Sequence, residues 1–225
     1  AKNRFYAHLD KSHSEKLSSK KNDKKIKLIY DDIHKTFLSK YEIKNRFEDI
    51  FHNGYYNCVS GTALYGLAFH HLNVPFTIKE KPTHVYLVAY PDQEHVMVET
   101  TTPIGGYVTM KPQFKQSFVK MLKDQKLISN QEYVSQSADE LFDKHYFGAQ
   151  ENITLLQLLG LQYFNEGLYL IEEDKYLEGW YKLEKAYLFY PSERVAYVML
   201  AAAHESFKRR ETKDLVHAAC LSRLS

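Results

Sequence analysis

Three side chains able to do chemistry together stand apart in the sequence: Cys58, His84 and Glu99. Cys58 is one of two cysteines and lies in "HNGYYNCVSGTALYGLAFHHLNVPF", where a polar, glycine-bearing turn gives way to an apolar stretch. A thiol at the start of a helix differs from a filler thiol in its middle. The first-turn N–H groups and the helix dipole favour thiolate over thiol, and the same N–H groups can stabilise an oxyanion formed when the thiolate attacks a carbonyl. Such chemistry needs a base and a group that holds the base still. His84 opens the alternating run "HVYLVAY", and Glu99 belongs to a second run, "HVMVETT".

The elements that must position these groups follow from pattern. Asn57 is a good N-cap for a helix whose stripe is Val59, Ala63, Leu67 and His70, ended by Asn73 and Pro75. "FTIKE", "HVYLVAY" and "HVMVETT" read as three short strands, with a further extended piece near Tyr107–Met110. If "PDQE" joins the second and third as an even-numbered hairpin loop, Tyr90 opposes His95, Tyr86 faces Glu99, and His84 faces Thr101. His84, Tyr86, Val88, Tyr90, His95, Met97, Glu99 and Thr101 then share one face. Val85, Leu87, Ala89, Val96, Val98 and Thr100 form the other, which is expected to be the core. His84 and Glu99 become diagonal neighbours about 7–8 Å apart, a separation one hydrogen bond spans.

The rest of the chain supplies context. Residues 1–25 are polar and lysine-rich, and are expected to form a loose basic arm. Ile26, Ile29, Ile33, Phe37 and Leu38 mark a helix to about Ser39, with a second short one through Phe47 to Phe51 and a turn over "HNGYYN". Helices are expected over 114–128 and through most of 138–225. Between 160 and 193, Gly167, Leu170, Gly179, Leu183, Ala186 and Pro191, with Tyr163 and Tyr176, resemble a tetratricopeptide helix pair. A second copy from Arg194, through Tyr197, Leu200 and Ala201, degrades after His204. A plain helical subdomain is the other reading.

Composition bounds the function. The chain has 225 residues, 44% hydrophobic and 26% charged, with a net charge of +2, so nothing global advertises a nucleic-acid partner. The charge is uneven: up to Arg46 there are thirteen Lys/Arg against six Asp/Glu. The run "KLSSKKNDKKIK" reads as a solvated face, with phosphates or acidic lipids as the sharper alternative. No apolar run approaches the roughly 20 residues of a membrane span. Two cysteines do not make a disulfide framework, and a bridge from Cys58 to Cys220 would have to join distant segments. No zinc-type spacing and no phosphate-binding glycine loop is present, so no metal and no cofactor are expected. The start at Ala1 without methionine fits a trimmed chain or a matured, exported one, periplasmic or extracellular.

"YYNCVSGTALYGLAFHHLNVPF", "PTHVYLVAYP" and "VMVETTTP" together resemble the three blocks of the transglutaminase-like superfamily, a branch of the papain-like cysteine enzymes. The resemblance spans roughly residues 26–110. It implies an α+β fold with N-terminal helices, a central helix bearing the cysteine and an antiparallel sheet, here over 26–147, followed by an all-helical subdomain over 148–225. It implies Cys58 as nucleophile, His84 as general base and acid, and Glu99 as the group orienting the imidazole. Asn57, His52 or a tyrosine of "GYYN" is a candidate for the second oxyanion donor, and Tyr56, Tyr86 and Thr101 for the lining of a substrate groove. The implied activity is attack on an amide or peptide through a thioester, resolved by water or by another amine. The family's third residue is usually aspartate. Glutamate is one methylene longer, which also fits an inactive relative that binds a peptide or partner protein through its groove and helical C-terminal segment.

Overall fold

The computed structural model describes residues 2–13, 17, 19–81, 83–102, 105–148 and 150–209. Cys220 and the end of the expected C-terminal helical region lie outside them. The fold is α+β. Two compact units emerge, both discontinuous in sequence: Ala1–Ser39 with Leu64–Ile153, and Lys40–Ala63 with Thr154–Ser225. The blocks 26–147 and 148–225 expected from the sequence are contiguous, whereas each of these units joins two separate segments.

The first unit is built on a five-stranded antiparallel sheet. Its strands are β3 (Phe76–Lys81), β4 (His84–Ala89), β5 (Val96–Val98), β6 (Tyr107–Thr109) and β7 (Glu151–Ile153), in the order β6-β5-β4-β3-β7. β1 (Lys40–Tyr41) and β2 (Tyr55–Tyr56) belong to the second unit. The β4–β5 register pairs Leu87 with Val98, Val88 with Met97 and Ala89 with Val96, as the hairpin argument requires. Tyr90 and His95 adopt left-handed φ angles of 52° and 51° and close the hairpin end of the ladder, and β5 stops at Val98, short of the end of its alternating run. β7, a three-residue edge strand pairing with β3, interrupts the helical run expected there.

Both faces of this sheet are buried. Val85, Leu87, Ala89, Val96 and Val98 fill one face, as expected. The opposite face is not open: Tyr86 and Val88 pack with Met110, Val119, Leu122, Ile128, Leu141, Phe142 and Phe147. These come largely from α5 (Pro112–Asp124), α7 (Ala138–Phe142) and a π-helical turn, Asp143–Phe147. Phe142 is the hub. It stacks on Tyr146 at 4.6 Å between centroids and meets Phe114, Phe118 and Phe147 edge-on. A smaller helix, α6 (Asn130–Ser135), lies between α5 and α7 in sequence.

Residues expected as a loose arm instead form α1 (Lys2–His13), which buries Phe5 and Leu9. Two apolar residues one turn apart anchor a helix that is otherwise polar, a signal too sparse to outweigh its composition. His8 Nε2 and His13 Nε2 both approach Asp32 Oδ2, at 2.9 and 2.8 Å, on α2 (Asn22–Phe37), while Asp10 pairs with His71 at 2.7 Å. His71 ends α4 (Cys58–His71), and the unit boundary falls inside that helix, between Ala63 and Leu64. Of the expected stripe of α4, Val59 is buried, Ala63 and Leu67 are half-buried and His70 is exposed, while Leu64, Tyr65, Ala68 and Phe69 are fully buried. Asn73, at φ 54°, ends the helix in the left-handed conformation expected of it.

The second unit holds α3 (Asp49–His52), the first turn of α4 and three long helices. The two-residue strands β1 and β2 pair in parallel within the segment expected to be a helix and a turn. α8 (Leu155–Glu172) and α9 (Tyr176–Phe189) meet where the sequence places glycines. A Cβ on Gly167 would lie 2.8 Å from Leu183 Cγ, and one on Gly179 2.9 Å from Ile171 Cγ1. With α10 (Glu193–Lys208) they enclose Phe164, Trp180, Leu183, Ala186, Val195 and Met199.

Candidate active site

His84, the first residue of β4, holds its Nε2 2.6 Å from Glu99 Oε2. The diagonal reach argued from register is therefore made, and the extra methylene of glutamate is accommodated. The other carboxylate oxygen, Oε1, accepts from the Thr101 hydroxyl at 2.7 Å and from the Thr101 N–H at 3.0 Å. Burial pushes the Glu99 carboxyl upward, but the hydrogen bonds from His84 and Thr101, with the charge of His84, outweigh it and hold the group below the ordinary carboxylate range. An ionised acid facing Nε2 fixes that nitrogen as the N–H donor. Nδ1 is then the basic nitrogen of the neutral ring.

The backbone of Glu99 is also fixed. Its N–H donates to Gly106 O at 2.5 Å, and the Tyr30 hydroxyl of α2 approaches Glu99 O at 3.1 Å and Thr102 O more closely. Gly106 sits so tightly against Tyr30 Oη and Glu99 O that no Cβ fits there. Tyr30 and Gly106 were not legible as site residues, because their roles depend on a contact between a helix and a distant loop.

The groove role expected of Tyr56 and Tyr86 does not suit their burial. Tyr86 is 1% exposed, donates its hydroxyl to Gln150 Oε1 at 2.5 Å, and lies near-parallel to the His84 ring at 6.4 Å. Burial raises its hydroxyl pKa strongly. Tyr56 is 3% exposed and packs edge-on against Tyr41. Thr101 serves the carboxylate.

Cys58, in the second unit, is a free, half-buried thiol at the first position of α4. Asn57 caps that helix. Its Oδ1 accepts from Val59 N at 3.0 Å and Ser60 N at 2.9 Å, and its own N–H donates to Ser60 Oγ at 2.9 Å, a reciprocal cap. Its Nδ2 donates to Ile43 O at 3.1 Å. The Asn57 side chain is thus engaged in holding the turn, which argues against the oxyanion role, and His52 is an exposed residue ending α3.

A buried polar network supports this turn from within the unit. Ser60 Oγ donates to Asn45 Oδ1 at 2.8 Å, Asn45 Nδ2 donates to Tyr55 O at 2.7 Å, and Gln162 of α8 donates to Asn45 O at 2.9 Å. Tyr169, two turns further along α8, donates to Ile43 O at 2.6 Å. Burial first, then the charges of Cys58, Tyr41, Glu172 and Glu166, push its hydroxyl up to about 12, so it remains a neutral donor beside the thiol segment. Asn-x-x-Ser is a readable cap; Gln162 and Tyr169 carry no local signal.

Among the described residues no three histidine, cysteine or acidic side chains are gathered as metal ligands would be, and no helix is long and apolar enough to cross a membrane. No protein-family model, curated protein or solved structure matches the chain.

Proposed function

We propose that the chain is a transglutaminase-like cysteine enzyme acting on an amide or peptide. The observation that carries this reading is the 2.6 Å contact between His84 Nε2 and Glu99 Oε2, which leaves Nδ1 as the base. In the proposed reaction Nδ1 takes the Cys58 proton and sulfur adds to the substrate carbonyl. The tetrahedral intermediate collapses to a thioester as the imidazolium returns that proton to the departing amine. Water, or a second amine, then attacks the thioester and restores the thiol. Glu99 stays ionised throughout and fixes the tautomer.

Iodoacetamide labelling of the full chain, with peptide mapping to separate Cys58 from Cys220, tests the coupling. Cys58 is expected to react at neutral pH about tenfold faster than in His84→Ala, a difference of about 1.4 kcal/mol. Equal rates in two folded proteins overturn the enzyme reading. A glutamine-bearing peptide, offered with and without a fluorescent primary amine, then distinguishes transamidation from hydrolysis.

A second reading is supported by the helical unit. α9 and α10 leave Leu188 and Tyr197 about three-quarters exposed, which suits a domain that binds a peptide or protein partner without turnover. Uncoupled Cys58 labelling is the result that favours it.

A further inference from the structure

The first unit carries a cleft that the cysteine reading does not use. It measures about 500 Å³ and is lined by Lys20, Lys24, Lys27 and Lys111, with Asp23 the one carboxylate. Leu28, Tyr107 and Val108 give it an apolar wall, and Thr109 adds a hydroxyl. The volume falls within the range of small-molecule sites. The lining comes from two separate parts of the chain: the basic run before and within α2, and the junction of β6 with α5. Their lysines meet only in the folded unit.

The four ammonium groups are not equivalent. Lys27 pairs with Asp31 at 2.6 Å and lies 5.4 Å from the centre of the Tyr107 ring. Among the described residues no carboxylate pairs with Lys20, Lys24 or Lys111. Among the described residues the cleft therefore gathers three cations with no carboxylate paired to them, beside Asp23. Two helices also begin beside it. α2 is capped by Lys21 and α5 by Lys111, both extended at the cap and neither offering a side-chain acceptor to the first turn. α2 has Asp23 in its first turn, whereas α5 has no acidic residue there, so it is the α5 N-terminus that adds positive potential where the lysines already supply it. A solvated lysine face needs neither concavity nor an apolar wall.

We propose that this cleft binds an organic phosphate, with two or more phosphate charges held by Lys20, Lys24 and Lys111 and an apolar or aromatic portion resting against Leu28, Tyr107 and Val108. Exposed ammonium groups act as point charges here, so binding weakens steeply with salt. The shared chemistry is a phosphate ester, whether on a soluble molecule or on a lipid headgroup. None of Cys58, His84 and Glu99 lines this cleft.

The test uses the full chain and two titrations. ATP is followed by calorimetry at low and at raised salt; vesicles of phosphatidylcholine, with and without phosphatidylglycerol, are followed by co-sedimentation. Lys24→Glu/Lys111→Glu reverses two charges in the cleft, and Lys175→Glu, in the second unit, is the control. Saturable, salt-sensitive ATP binding that falls about tenfold or more in the double variant and not in the control supports a soluble phosphate ester. Binding only to the phosphatidylglycerol vesicles, with the same dependence on Lys24 and Lys111, assigns the phosphate to a lipid. Absence of both, or binding that the folded double variant retains in full, overturns the proposal. Lys24→Ala/Lys111→Ala, with unchanged thermal unfolding, guards against charge reversal acting through misfolding.

Discussion

Glu99 places both carboxylate oxygens on named donors, and its acidity is set by them. Because its folded-state pKa lies below the ordinary value, the folded chain binds fewer protons there than the unfolded chain in the acid range. The resulting stability is complete above the ordinary carboxylate pKa, about 4.3, and is lost as pH falls through the folded value. Glu99→Gln should therefore flatten the acid limb of a stability-against-pH curve. At neutral pH it should cost about 1.5–3 kcal/mol, the range for a hydrogen bond to a charged group. Thermal unfolding of both proteins across that pH range checks it. Cys58→Ser should abolish turnover in the glutamine-peptide assay while leaving that unfolding curve within about 0.5 kcal/mol of the parent.

The loop after β5 is as demanding as the side chain it carries. Gly106→Ala drives a methyl into Tyr30 Oη and Glu99 O, and should cost about 1–3 kcal/mol while displacing the acid from His84. A lowered rate of Cys58 labelling alongside a lowered melting temperature would register both effects. Behind the hairpin, Phe142→Ala should cost about 3–5 kcal/mol, since the ring is fully buried among four aromatic neighbours.

These elements also mark where sequence reasoning succeeds and where it stops. The β4–β5 register, the Asn57 cap and the Asn73 stop were legible because each is decided within a few residues. The second core was not: Tyr86 and Val88 alternate as if facing water, and only the packing of α5 and α7 buries them. β7 was missed because three residues carry no periodicity, and α1 because Phe5 and Leu9 are its main apolar anchors. The burial of Tyr86, a groove candidate by resemblance, has the same physical reason: it is decided by elements far along the chain.

Each unit draws on segments that are distant in sequence, and this makes two parts of the chain indispensable that otherwise look dispensable. Removal of residues 1–13 takes Phe5 and Leu9 out of the first unit. At about 1.5–3 kcal/mol for each buried side chain, the loss should be about 3–6 kcal/mol, where a loose arm would cost nothing. Chemical denaturation of the shortened chain measures it. In the second unit, a fragment spanning 154–225 lacks Ile43 and Asn45, the acceptors for Tyr169 and Gln162. It should show weaker, less cooperative helical unfolding by circular dichroism than the same helices in the full chain.

The Asn45–Gln162 hydrogen bond joins groups 117 residues apart. On a ribosome, the turn that carries Cys58 emerges long before α8 has been made. The carbonyls of Ile43 and Asn45, which pair with Tyr169 and Gln162 in the folded unit, stay hydrated through the synthesis of the entire sheet. Helix α8 thus reaches the thiol segment only after the sheet has been made, so a nascent chain stalled before Thr154 carries the cysteine on its local Asn57 cap but without the contacts from Gln162 and Tyr169.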